Sequence, residues 1–89
     1  MVVLSRITPH YPGRALVQGI EGWVRLAIVV SPQGKVTEAR VVDSEPKHLF
    51  DQVALDAIKR WRFKPTYKDG RPVEQRAVQE INFRLDKRR

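Results

Sequence analysis

The stretch Leu49 to Pro65, LFDQVALDAIKRWRFKP, has the clearest period in the chain and decides how the rest is read. Placed at about 100° per residue, Leu49, Phe50, Val53, Ala54, Ala57, Ile58 and Trp61 fall on one half of a helix. Asp51, Gln52, Asp56, Lys59 and Arg62 fall on the other half, with Leu55 the only apolar residue among them. Pro65 closes the stretch, since it has no N–H to give and turns Lys64 away from the α region. About fifteen residues at ~1.5 Å rise predict a helix of roughly 22 Å. Burying Leu49, Phe50, Val53, Ile58 and Trp61 would contribute about 1.5 to 3 kcal/mol each, against about 1 to 2 kcal/mol for fixing each backbone residue. The helix therefore needs an apolar sheet face beneath its stripe.

That face is supplied upstream. From Trp23 to Val30, Val24, Leu26, Ile28 and Val30 alternate with Trp23, Arg25, Ala27 and Val29, which predicts a strand with an all-aliphatic inner side. Ser31-Pro32-Gln33-Gly34 reads as a tight turn, and Lys35 to Val42 as the returning strand of a hairpin. Val36 and Val41 cannot both point inward along a regular strand, so a bulge or strong twist is expected near Glu38 to Arg40. Before the hairpin, Pro9 and Pro12 hold Thr8 and Tyr11 extended. Pro12 then opens a short helix with Ala15, Leu16 and Ile20 on its buried side and Gly19 as its left-handed stop. After the long helix, Thr66 to Pro72 reads as a loop centred on Asp69-Gly70, and Val73 to Leu85 as the last strand. Its inner side carries Ala77, Ile81, Phe83 and Leu85, and its outer side Val78, Glu80, Asn82 and Arg84.

The element order is therefore αββαβ. A right-handed helical crossover makes the second and third strands parallel to each other, which puts the first strand in the centre. The expected fold is α+β: a three-stranded antiparallel sheet of order 2-1-3, both helices on one face, and the last strand at an edge. The core is expected to hold Val24, Leu26, Ile28, Phe50, Val53, Ala57, Ile58 and Trp61.

The 89 residues suit one domain with one core. Residues 1–7 read as a flexible lead-in, 8–86 as the domain and 87–89 as a basic tail. The hydrophobic content of 42% excludes wholesale disorder. The absence of cysteine excludes a disulfide framework and a thiolate metal site. The chain contains no apolar run of transmembrane length and no signal-peptide pattern. A net charge of +7 invites a nucleic-acid reading. Yet the basic residues are spread from Arg6 to Arg89, and no RNP signature, GXXG loop or zinc-finger spacing is present.

Catalysis needs an arranged nucleophile, base or metal, and none is laid out here. His10 and His48 lie in separate loops without a carboxylate at ligand spacing. Ser5, Ser31 and Ser44 lack a nucleophile elbow, and no glycine-rich phosphate loop appears. The chain reads as a non-enzyme without a cofactor. What remains is an edge strand beside a proline-tyrosine segment. An exposed edge must be blunted or used: either Glu80 and Arg84 keep it soluble, or a partner peptide adds to it as another strand.

Several local motifs stand in one order: Tyr11-Pro12-Gly13-Arg14-Ala15, Gly19-Ile20-Glu21-Gly22-Trp23-Val24, Gly34-Lys35-Val36, Trp61-Arg62-Phe63-Lys64-Pro65 and Gly70-Arg71-Pro72-Val73. Together they resemble the carboxy-terminal domain of the TonB energy-transducing proteins of Gram-negative bacteria, from about Thr8 to Leu85. The resemblance implies a periplasmic domain of a protein anchored in the inner membrane, working with ExbB and ExbD through an amino-terminal part that this chain does not contain. It implies that the domain grips the TonB box of outer-membrane receptors for siderophores, haem or vitamin B12. It places that contact on the last strand, at Ala77, Val78, Gln79, Glu80, Ile81, Asn82, Phe83, Arg84 and Leu85. Tyr11 and Arg14 carry over as receptor contacts, with Pro9 and Pro12 shaping their segment. Family members often have Gln where this chain has Thr8, a departure at one contact position. Two readings from other classes stand beside it: a basic nucleic-acid module, and an assembly domain whose edge pairs with a second copy.

Overall fold

Gly22–Val30 (β2) forms the middle of the molecule because its two sides differ so sharply. Val24, Leu26, Ile28 and Val30 are all at most 2% exposed, while Arg25 between them reaches solvent. The computed structural model describes residues 2–85. Residues 86–89, which include the expected basic tail, lie outside the described residues, as does Met1.

Around β2 the chain adds, in order, Val3–Ser5 (β1), Gly13–Gln18 (α1), Val36–Glu45 (β3), Asp51–Ile58 (α2), Arg62–Phe63 (β4), Thr66–Lys68 (β5), Arg71–Val73 (β6) and Gln75–Phe83 (β7). The main sheet has the order β3-β2-β7 and is antiparallel throughout. This is the expected 2-1-3 arrangement, with β3 and β7 parallel to each other across the central strand. Ala15 of α1 and Phe50, Ala54 and Ile58 of the α2 region join the inner faces of β2 and β7 in one buried cluster, so both helices cover the same face.

The parity conflict in β3 is met by two register shifts, which flank the expected position. Opposite β2, the pairing steps from Glu38 to Val36 and from Asp43 to Val41, leaving Thr37 and Val42 as extra residues. Each extra residue reverses the alternation. Val36, Ala39, Val41 and Ser44 consequently pair with Val30, Ile28, Leu26 and Val24 on the inner face.

The organising stretch behaves differently from its helical reading. The helix ends at Ile58, and the Arg60 and Trp61 amides bond three residues back, to Ala57 and Ile58. The chain then becomes extended, because distant backbone offers better partners: Phe63 N–H donates to Gly34 at 2.9 Å and Lys64 N–H to Val2 at 2.9 Å. Trp61 and Phe63 are buried and Arg62 is exposed, a two-residue period in place of the helical one. Val3 and Ser5 pair with Phe63 and Arg62, so the lead-in read as flexible supplies a strand.

Other differences are local. Leu16, expected on the buried side of α1, is 54% exposed, because Ala15 alone meets the core at this short helix. The expected loop at Thr66 to Pro72 is the hairpin β5–β6, since Asp69 and Gly70 both adopt positive φ (53° and 78°), the combination of a type I′ turn. Val73 belongs to that hairpin, and the last strand starts at Gln75. Of the expected core, Val24, Leu26, Ile28, Phe50, Ala57, Ile58 and Trp61 are buried and Val53 is half-buried. Phe63, 1% exposed, is a core residue that the helical reading hid.

Two glycines hold the parts at close range. A Cβ on Gly22 would lie 2.1 Å from the Glu45 carbonyl and 2.9 Å from Phe50, so β2 and the end of β3 approach there without a side chain between them. Gly34 has φ 89°, and a Cβ would lie 2.0 Å from the Phe63 carbonyl. The Gly-Lys-Val and Trp-Arg-Phe motifs are therefore two halves of one contact.

Candidate functional site: the free edge of the last strand

β7 has a neighbour on one side only among the described residues. Which of its backbone groups face outward follows from the hairpin turn. Ser31 N–H donates to Lys35 at 2.7 Å, so Ser31 faces β3. In a central strand successive residues turn their N–H and C=O to opposite neighbours. Odd-numbered residues of β2 thus face β3, and even-numbered ones face β7. The register pairs Leu26 with Gln79 and Val24 with Ile81. Ala77, Gln79, Ile81 and Phe83 therefore bond to β2, while Arg76, Val78, Glu80 and Asn82 present their N–H and C=O at the open edge.

The two edges of the sheet are unlike. β3 carries two register shifts, a device that discourages further pairing. β7 pairs with β2 over nine residues without one. Its far end is fastened where Glu21 accepts a hydrogen bond from the Leu85 amide at 2.6 Å.

A second wall faces part of this edge. Arg6, Ile7, Thr8 and Pro9 line a groove of about 320 Å³ together with Trp61, Glu80, Ile81 and Asn82. The wall is held by Trp61. Its indole Nε1–H donates to the Ile7 carbonyl at 3.1 Å, and the Arg6 guanidinium lies 5.1 Å from the ring centroid. A buried indole N–H needs an acceptor, and an extended segment with free carbonyls provides one.

On the outer face of the sheet, Glu80 is bonded to Arg25 at 3.2 Å, and Arg25 stacks 5.0 Å from the Trp23 ring. Both partners of the ion pair are nearly half exposed, so it contributes little to stability. Its effect is to set the charge along the edge.

The expected site residues are placed unevenly. Pro9 meets Glu80, Ile81 and Asn82 in the groove. Tyr11 is half-buried in the core instead: its ring sits edge-on to Phe50 at 5.6 Å and to Phe83 at 5.9 Å, and those two rings stack at 4.3 Å. Its hydroxyl donates to the Ile20 carbonyl. Burial, with the Glu21 carboxylate as a lesser cause, raises the Tyr11 pKa above 10.0. Pro12 caps α1 and its carbonyl accepts from Leu16 at 2.9 Å. Arg14 is exposed on α1 and lies outside the groove. Ala77 and Val78 line a separate hollow with Ala27, Val29 and Arg40. Arg84 and Leu85 follow the strand, with Arg84 exposed. Thr8 stands at the family contact position named above, whereas Arg6 and Ile7 carry no signal of their own; the need of a buried Trp61 N–H for an acceptor is the one that points to them.

Among the described residues, no group of three or more His, Cys, Asp or Glu is placed to hold a metal ion. No helix of the described residues is long and apolar enough to cross a membrane.

Comparison with known proteins agrees with this architecture. The family described as Gram-negative bacterial TonB protein C-terminal matches residues 7–85. Protein TonB of Vibrio cholerae is 38% identical over 85 residues, 96% of this chain and 35% of that protein. Protein TonB of Pseudomonas aeruginosa is 33% identical over 91% of this chain and 24% of its own length. The solution structure of the Pseudomonas aeruginosa TonB CTD superposes with a TM-score of 0.80 at 32% identity, covering 98% of this chain and 88% of that one. The TonB2 structure from Vibrio anguillarum gives 0.71 at 36% identity, over 98% and 83%. The chain spans only about a quarter to a third of the two curated relatives.

Proposed function

The chain belongs to the Gram-negative bacterial TonB protein C-terminal family, and on that footing we propose that it is the receptor-binding domain of a TonB-type energy transducer. In this reading the domain works in the periplasm, joined to an inner-membrane anchor through which ExbB and ExbD act. It pairs with the TonB box of outer-membrane receptors that import siderophores, haem or vitamin B12. Its work is mechanical and it catalyses no reaction.

One observation carries the reading: β7 is a regular nine-residue edge with one neighbour among the described residues, while the opposite edge, β3, is interrupted twice. An incoming strand would bond to the outward groups of Arg76, Val78, Glu80 and Asn82, which is β-augmentation. The groove between Glu80–Asn82 and Arg6–Pro9 gives that strand a second wall. Tyr11, Pro12 and Arg14 act with it by holding and flanking this segment. Pulling on a paired strand loads its backbone hydrogen bonds, and the core behind β7 keeps the load from being lost as local unfolding.

The test is amide NMR with a synthetic peptide copied from the TonB box of a receptor of the same organism. Signals of residues 76–82 should shift, and the amides of Val78, Glu80 and Asn82 should gain protection from exchange. Shifts confined to other surfaces would overturn strand pairing. Saturable self-association through the same amides, without peptide, would assign the edge to a second copy instead.

A further inference from the structure

The β4 segment and the β5–β6 hairpin that follows it carry their own pattern. Lys35 pairs with Arg62 in an antiparallel bridge, and Lys68 pairs with Arg71 across the β5–β6 hairpin. Both pairs place two cations directly opposite each other, an arrangement that is unfavourable by itself. Lys64 lies between them in sequence. All five side chains are exposed. Among the described residues, none of the five takes part in an ion pair, and the one acid within the hairpin is Asp69 at its tip. From Arg62 to Lys68 the chain runs roughly 20 Å if fully extended.

Apolar groups lie beside these cations. Val2 is 57% exposed and its carbonyl accepts the Lys64 amide. Leu4 is 64% exposed and sits at the register shift between β1 and β4, next to Arg62. Tyr67, 65% exposed, stands between Lys64 and Lys68 in the chain. A water-soluble polyanion would use the cations alone. A surface that takes both the cations and the exposed Val2, Leu4 and Tyr67 is the interface of an anionic bilayer.

We propose that Lys35, Arg62, Lys64, Lys68 and Arg71, with Val2, Leu4 and Tyr67, form a docking surface for anionic phospholipid headgroups. The two like-charge pairs are relieved by the phosphates, and the β5–β6 hairpin, a separate two-stranded sheet among the described residues, reaches the surface. The proposal stands whether or not the β7 edge binds a receptor peptide.

The experiment is co-sedimentation of the intact chain with vesicles of phosphatidylcholine alone or mixed with phosphatidylglycerol. Binding is expected only to the mixed vesicles and to fall as salt rises. Each cation near such a surface is worth roughly fivefold in affinity, so Lys68→Gln with Arg71→Gln should weaken binding by about 25-fold. Arg40→Gln with Lys47→Gln removes the same charge elsewhere and should change binding by no more than about twofold. Leu4→Ser should lower the binding that survives at high salt. Circular dichroism of each variant confirms that it is folded. Equal loss in the two charge variants, or equal binding to both vesicle types, would overturn the proposal. Binding to soluble polyglutamate but not to vesicles would assign the cations to an acidic chain and equally overturn it.

Discussion

Trp61 donates its indole N–H to the carbonyl of Ile7 at 3.1 Å, joining residues 54 positions apart. The same ring is buried in the core and forms part of the groove beside β7. One side chain thus fixes the wall of the candidate site to the body that carries its edge. Arg6, stacked on the outer side of the ring, extends the same fastening toward solvent.

Trp61→Phe keeps an aromatic ring in the core but leaves the Ile7 carbonyl without its donor. The expected loss is roughly 1 to 3 kcal/mol, measured by denaturant unfolding. A second readout locates the effect. Exchange of the Lys64 amide, bonded to Val2, should quicken more than exchange within β2, because the lead-in is released before the sheet opens.

Gly34 and Gly19 make a controlled pair. Both have positive φ, 89° and 68°, so alanine costs each roughly 1 to 2 kcal/mol in conformation. At Gly19 nothing lies within 4 Å of the added carbon, whereas at Gly34 it meets the Phe63 carbonyl at 2.0 Å. Gly34→Ala should therefore destabilise clearly more than Gly19→Ala in the same unfolding experiment. Equal losses would mean that β4 yields freely and that its contact with the turn is unimportant.

The parts of the fold legible in the sequence are those where one physical signal acted alone. Val24, Leu26, Ile28 and Val30 alternate without interruption, and the single helical crossover sets the strand order, so the sheet and its β7 edge could be derived. Trp61 and Arg62 fit a helical stripe and a two-residue alternation equally well, and Phe63 alone, about 200° from Trp61 on a helix, favours the alternation. The choice was made by Gly34 and Val2, whose backbones accept the Phe63 and Lys64 amides, and no local pattern reports such partners. The same limit hid Arg6 and Ile7, which have no period to read and whose position depends on a bond to Trp61, whereas Thr8 and Pro9 are indicated by the family resemblance alone. In β3, Val36 and Val41 disclosed that the alternation breaks, but the shifts fall at Thr37 and Val42, where pairing with β2 decided their place.

Stability should fall in strong alkali through Tyr11. Its pKa is raised by burial first and by Glu21 second. The folded state therefore holds the phenol proton more tightly than the unfolded chain does. That contribution is fully present below the unfolded value near 10.0 and is lost as pH rises through the higher folded value. Denaturant midpoints taken through that window should drop, and Tyr11→Phe should flatten the drop. An unchanged slope in the variant would show that other groups cause the alkaline loss.

Asp43 and Lys47 give the opposite limits of the pH range. The Asp43 carboxylate is held below 3.8, chiefly by its hydrogen bond from Lys47 and then by the Ser44 amide. Lys47 is raised above 10.5, chiefly by Asp43. The Asp43 contribution is present above its unfolded value and lost as pH falls through the lower folded one. The Lys47 contribution is present below its unfolded value and lost as pH rises through the higher folded one. The pair is exposed, so its effect on stability is small and screened by salt. The direct check is carboxyl NMR: Lys47→Met should move the Asp43 titration upward toward 3.8, leaving the Ser44 bond as the residual cause of any depression.

Proline substitution along β7 separates edge from ladder. Proline removes one N–H, and the consequence depends on where that N–H points. At Gln79 the amide bonds to β2, so Gln79→Pro breaks the main sheet and should unfold or severely destabilise the chain. At Val78 and Glu80 the amides face the open edge, so Val78→Pro and Glu80→Pro should leave the thermal transition nearly in place. If the edge receives a partner strand, these two folded variants should lose peptide binding by at least tenfold, about 1.4 kcal/mol, since each removes a donor that the partner needs. Folded variants that bind as well as the parent would overturn pairing at this edge. Severe loss of stability at Val78 with tolerance at Gln79 would instead reverse the assigned parity. The parity rests on the Ser31 to Lys35 bond, so the stability half of the experiment tests the fold and the binding half tests the site.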